Sequence, residues 1–136
     1  MRAFVRSGRE DEYFAILAYL PPRPEIENEI GTIRAAIRDH RRIATTFGYG
    51  PRYLHSTGQL HKGGPNTGLF LELTMEDDQL SIPGQEYTFA DLNLAQSIGD
   101  FRALLARGRR VMRIHFSGDL AQGLARLREM ITKASG

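Results

Sequence analysis

Tyr13-Phe14-Ala15-Ile16-Leu17-Ala18-Tyr19-Leu20 is an unbroken apolar run, stopped by Pro21-Pro22. A strand with one face in water alternates polar and apolar residues. A run without alternation, bounded by breakers, reads as a strand buried on both faces, the signature of a parallel sheet. Downstream, Pro24 opens a helix with Glu25 and Glu27 in its first turn, where the helix dipole favours acid. Ile26, Ile30, Ile33 and Ile37 follow at 4-3-4 spacing, and Arg38, Arg41 and Arg42 fill the last turns. Leu69-Phe70-Leu71-Glu72-Leu73-Thr74 reads as a second apolar strand and Val111-Met112-Arg113-Ile114-His115-Phe116 as a third. Between them, Thr88 with Asp91 resembles a capping box, Phe89, Leu92 and Ala95 continue a helical stripe, and Gly99-Asp100 is a candidate interruption. Gly108 ends that helix. Asp119 caps a last one, with Leu120, Leu124, Leu127 and Ile131 on one face. Strands alternating with helices imply a three-layer α/β/α sandwich around a mostly parallel sheet, doubly wound in the flavodoxin-like manner.

The composition narrows the chemistry. The 136 residues are close to the commonest size for one domain, so residues 1–136 are expected to form a single one. Cysteine is absent, which removes disulfides, thiolate catalysis, Cys-ligated zinc and iron–sulfur clusters. It also fits a cytoplasmic protein. No apolar run approaches the roughly 20 residues of a membrane span. The charge balance is 18 Lys+Arg against 16 Asp+Glu, and only Lys62 and Lys133 are lysines. Arginine prefers planar, bidentate partners such as carboxylates and phosphates, so a small anionic ligand suits this balance as well as any polymer. Neither nucleic acid nor a membrane is expected as a partner.

Residues 48–68 are of a different kind. Six glycines bracket Arg52-Tyr53-Leu54-His55-Ser56-Thr57 and Gln59-Leu60-His61-Lys62. The strict phosphate-loop pattern fails, because Gly58-x4-Gly63 is followed by Gly64 and Pro65 rather than Lys and Ser/Thr. A dinucleotide fingerprint is absent too, so no nucleotide cofactor is expected. If residues 55–62 are helical, His55 and Gln59 share one face, with Ser56 and Thr57 near the helix start. His55 is then either a general acid/base or a residue that closes a Gly-rich loop. Lys62 among glycines either faces an anion or is simply solvated. His55, His61 and His115 lack metal-ligand spacing, so no metal is expected. His115, inside a strand, reads as a packed, hydrogen-bonded core histidine. The Arg clusters at 38–42 and 107–110 read as complements to helix dipoles, and Glu76-Asp77-Asp78 as a solvated loop.

The segment Tyr49-Gly-Pro-Arg-Tyr-Leu-His-Ser-Thr-Gly-Gln-Leu-His-Lys-Gly-Gly-Pro-Asn-Thr-Gly68 closely resembles the C-terminal part of fused transaldolase/glucose-6-phosphate isomerase proteins. The likeness continues through Ile82-Pro83-Gly84, Tyr87-Thr88-Phe89 and Ala95-Gln96-Ser97-Ile98-Gly99-Asp100, and reaches back to Ala18-Tyr19-Leu20-Pro21. The resemblance implies two sugar-isomerase (SIS) domains in the parent protein, each a parallel sheet between helices, of which this chain looks like the second. More distantly, His55-Ser-Thr-Gly-Gln59-Leu60 resembles the phosphoglucose isomerase segment whose histidine opens the sugar ring in a neighbouring subunit's site.

That resemblance implies isomerisation of glucose 6-phosphate to fructose 6-phosphate through an enediol, with His55 catalytic and Ser56, Thr57, Gln59 and Lys62 toward substrate. The implied partners are a sugar phosphate, the remaining SIS and transaldolase domains, and further copies in a homo-oligomer. The family's helix motif ends in a functional Lys where this chain has Gln96; Lys62 is the substitute the sequence offers. The phosphate loop and the glutamate that shuttles the C1/C2 proton have no counterpart here, so the chain alone is expected to lack isomerase activity. The alternative is a non-catalytic sugar-phosphate-binding or assembly module.

Overall fold

In a computed structural model of the chain, which describes residues 1–76 and 80–136, the run at Tyr13–Tyr19 is β1 and lies inside a sheet. The elements follow as α1 (Arg2–Arg6), β1, α2 (Pro24–Arg41), β2 (Ala44–Tyr49), a 3-10 turn (Arg52–His55), α3 (Thr57–Gly63), β3 (Gly68–Met75), α4 (Phe89–Ala106), β4 (Arg110–Phe116) and α5 (Leu120–Ser135). The four strands are all parallel, in the order β2-β1-β3-β4. The expected α/β architecture, a parallel sheet between helices, is what forms. No described helix is long and apolar enough to cross a membrane.

The two faces of the sheet are built differently. Successive side chains on a strand point to opposite sides. One side carries Phe14, Ile16 and Ala18 of β1 with Leu69, Leu71 and Leu73 of β3, all with at most 1% exposure. The α2 isoleucines and Leu124, Leu127 and Ile131 of α5 close over it. The 4-3-4 spacing put all four isoleucines in the core, as amphipathic periodicity requires. Helix α1, which the sequence did not announce, adds Val5 to this core and ties its end to α5 through Arg6 Nε, which donates to the Ala134 carbonyl at 3.2 Å.

The opposite side carries Ala15, Leu17 and Tyr19 of β1 and Phe70 of β3, with Tyr53 and Leu104 packed on them. Here α4 departs from expectation. It runs unbroken from Phe89 to Ala106 through Gly99-Asp100, and Thr88 and Asp91 do form the capping box. Yet Phe89, Leu92 and Ala95 face outward, the first two 45% and 37% exposed, while the buried positions are Ala90, Ser97, Asp100 and Leu104. Periodicity identified a stripe, but the sheet takes a different side of the helix. Of the acidic loop, Glu76 is exposed, while Asp77 and Asp78 lie outside the described residues.

The arginine clusters do more than complement dipoles. Arg109 Nη2 donates to the carbonyls of Lys62 (3.0 Å) and Gly64 (2.5 Å), and Arg107 Nη1 to that of Lys62 at 3.1 Å. Arg41 donates to the carbonyls of Arg6 and Gly8, and Arg110 pairs with Glu12 at 2.6 Å. Guanidinium forks thus hold the irregular segments against the ends of the elements.

Candidate functional site

The Gly-rich segment leaves β2 at the carboxyl edge of the sheet and crosses to the start of β3. Gly50 is required where it passes β1: a Cβ there would collide with the ring of Tyr19. The segment then splits. His55 closes the 3-10 turn, Ser56 breaks the helix with φ −133° and ψ −98°, and α3 starts at Thr57. The expected i,i+4 face shared by His55 and Gln59 therefore does not form, because the two belong to separate helical pieces. His55, Ser56, Thr57 and Gln59 are all exposed. The Ser56 hydroxyl donates back to the Tyr53 carbonyl at 3.3 Å and caps no α3 amide. The His55 ring has no hydrogen-bond partner among the described residues. Its sequence neighbours Arg52, Ser56 and Thr57, with Glu27 and Tyr49 among others, line a hollow of about 490 Å³ to which His55 itself does not contribute.

Lys62 is placed differently from these four. Its Nζ lies 2.5 Å from Oδ1 of Asp100, an ion pair without the alignment of a hydrogen bond. Asp100 is 3% exposed, and its other oxygen accepts from the Tyr53 hydroxyl. One buried carboxylate on α4 thereby ties α3 and the 3-10 turn together. The burial and the carboxylate hold the Tyr53 phenol well above its ordinary range. His61 is buried too. Its Nδ1 shares a 3.0 Å hydrogen bond with the Tyr13 hydroxyl, its ring lies edge-on to Phe70, and burial pushes its pKa down.

Two cross-strand rows complete this face. Leu17, Glu72 and Arg113 are in register across β1, β3 and β4, and Tyr19, Thr74 and His115 form the next row toward the carboxyl edge. Arg113 donates to Oε1 of the fully buried Glu72 through Nε (2.9 Å) and Nη2 (2.6 Å). Oε2 has no partner among the described residues. Burial raises the Glu72 pKa to about 7, against the opposing pull of Arg113. In the outer row the Thr74 hydroxyl and His115 Nδ1 share a 2.9 Å hydrogen bond. His115 is thus hydrogen-bonded as expected but is exposed on an edge strand, not packed in the core. With Tyr19, Met75, Asn93 and Ser97, these two line a cleft of about 580 Å³ under α4. A smaller hollow over Pro21, Gly50 and Arg52 shares Tyr19, Met75 and Asn93 with it. The carboxyl edge is therefore grooved from Thr57 at one end to His115 at the other.

That edge includes the point between β1 and β3 where the chain reverses direction, the usual ligand position in open α/β sheets. Sequence reasoning pointed to the Arg52–Lys62 end and missed the other. The signal was present in α4, whose inward positions 93, 97 and 100 are Asn, Ser and Asp. No family model and no curated protein matches the chain. Among solved structures it is similar to the crystal structure of a hypothetical protein, TT0462, from Thermus thermophilus. The TM-score is 0.74 at 17% identity, over 98% of this chain and 37% of that one. At that identity the likeness shows the fold alone. The chain spans a little over a third of that protein's length.

Proposed function

We propose that this chain is the second SIS domain of a glucose-6-phosphate isomerase of the transaldolase-fused kind, incomplete as an enzyme by itself, in which His55 is the acid/base that opens the sugar ring. The observation that carries this reading is the exposure of His55. A histidine kept to close a loop would be packed or hydrogen-bonded. This one is exposed, and its sequence neighbours Arg52, Ser56 and Thr57, a cation and two hydroxyls able to meet a phosphorylated sugar, line a hollow together with Glu27. Ring opening needs a proton delivered to the ring oxygen and one removed from a hydroxyl near neutral pH, which suits imidazole. Donation into a neighbouring domain's site calls for this outward placement, so the reading entails the remaining SIS and transaldolase domains and a homo-oligomer as partners.

The purified chain should not interconvert glucose 6-phosphate and fructose 6-phosphate. Adding an SIS domain that carries the phosphate loop and the proton-shuttling glutamate should restore turnover, and His55→Ala should lower that by about 10²–10⁴-fold. Robust turnover by residues 1–136 alone, or full activity of His55→Ala in the mixture, overturns the reading. One observation favours a second: Lys62, the substitute for the family lysine, is already paired with Asp100. A non-catalytic sugar-phosphate module would bind glucose 6-phosphate and never turn it over in any mixture.

A further inference from the structure

Helix α4 is unusually mixed. It leaves Phe89, Leu92, Leu94 and Leu105 exposed, the last two about half so at 51% and 50%. The side toward the sheet carries Asn93, Ser97 and Asp100 between the buried Ala90 and Leu104. A helix that served only to cover the sheet would show the reverse pattern, because apolar burial is the main force holding such a layer. Asp100 is accounted for by Lys62 and Tyr53. The positions nearer the carboxyl edge, Ala90, Asn93 and Ser97, instead roof the cleft of about 580 Å³ whose floor is the Tyr19–Thr74–His115 row. That volume is in the range of small-molecule sites. Departures from local patterning of this kind are expected where a site, not a core, is being built.

The lining states what the ligand must be. Thr74 and His115 are joined through Nδ1, which fixes the ring and leaves Nε2 for a ligand. Tyr19, Met75 and Leu94 supply flat and apolar surface of the kind that takes the C–H faces of a sugar. Among the described residues no Lys or Arg lines the cleft, and two carboxylates, Glu76 and Asp91, stand on its wall. Arg113, the nearest cation on the same strand face, is taken by Glu72. Such a site accepts hydroxyls and repels a phosphate, unlike the hollow at Arg52, where a guanidinium offsets Glu27.

We infer that this cleft is a binding site for a small polyhydroxylated ligand without phosphate, held by His115 and Thr74 and favoured when it bears an amino group. It is separate from the proposed isomerase role, whose residues lie at the other end of the groove. Three probes of one shape and different charge test it: 2-amino-2-deoxyglucose, glucose and glucose 6-phosphate. The chain has four histidines, so the C2 proton of each is a resolvable NMR probe once assigned. The amino sugar and glucose should shift His115, with the 6-phosphate about tenfold weaker there than glucose. Thr74→Val should weaken binding of both uncharged and amino probes, and Glu76→Gln should narrow the gap between glucose and its phosphate. Each variant should keep the wild-type circular dichroism spectrum. Failure of all three probes to move His115, or tighter binding of the phosphate at that residue, overturns the site. Shifts confined to His55 would do the same while leaving the isomerase reading intact.

Discussion

The two faces of this sheet are covered by helices of opposite character. Beneath α2 and α5 the contact is apolar throughout, four isoleucines on one side and Phe14, Ile16, Leu69, Leu71 and Leu73 on the other. Beneath α3 and α4 the same strands present Tyr19, Glu72, Thr74, Arg113 and His115, and the helices answer with His61, Lys62 and Asp100. The first face is held by burial that depends little on detailed geometry. The second depends on each charge keeping its partner, because an orphaned buried charge costs more than the pair contributes.

That difference can be broken most severely at Asp100. Asp100→Ala strands the Lys62 ammonium and the Tyr53 hydroxyl, and should cost about 3–5 kcal/mol in urea unfolding. Adding Lys62→Met should return much of that loss, since it removes the unpaired charge. A double variant no more stable than Asp100→Ala would show that the carboxylate acts through Tyr53 alone. On the apolar face, Ile33→Ala should cost about 3 kcal/mol through lost burial and a cavity, with no second site able to rescue it.

The pH dependence separates the faces further. Folding raises the Glu72 pKa from 4.5 to about 7, so the folded chain holds that proton more tightly than the unfolded one. The resulting stability is whole below pH 4.5 and is lost as the pH rises to about 7. Arg113 and Asp100 are the charged groups that bear on it. Burial of neutral His61 works in the other direction, since the unfolded chain gains a proton there as the pH falls. Comparison with Glu72→Gln, which keeps His61, isolates the carboxyl. Thermal unfolding should show wild type losing ground to Glu72→Gln as the pH is raised through this window. A constant difference between them would mean that Arg113 cancels burial in setting the proton affinity, and wild type gaining on the variant would mean that Arg113 outweighs it. The smallest effect belongs to neither face: Thr88→Ala removes one half of the α4 capping box and should cost about 1 kcal/mol, independent of pH near neutrality.

The apolar face was legible in the sequence because its physics is local. An unbroken apolar run, four isoleucines at helical spacing and the Leu120–Ile131 stripe each announce an element and the side it buries. The polar face was legible only in part. His55, Ser56, Thr57 and Gln59 stood out by residue type, yet the break at Ser56 between the 3-10 turn and α3 left no mark in the pattern. Asp100 looked like half of a helix interruption, because the residues that justify its burial, Lys62 and Tyr53, come from distant segments. His115 was misplaced for the same reason: a strand pattern does not reveal that β4 lies at an edge. Helix α4 offered two possible inner sides, and periodicity alone chose the wrong one.

The strand order β2-β1-β3-β4 also has a bearing on how the molecule comes into being. Of these four strands, β1, one of the two inner ones, is synthesised before the others. Tyr13 finds its neighbours only at Ala44 and Gly68, and the final edge, β4, arrives at Arg110. Every ladder in the sheet is thus a long-range closure, a topology that slows folding relative to one built from hairpins. Until β3 has left the ribosome, the most water-averse segment of the chain has one side uncovered, and its safekeeping in that interval falls to α2, the one strong local structure already complete.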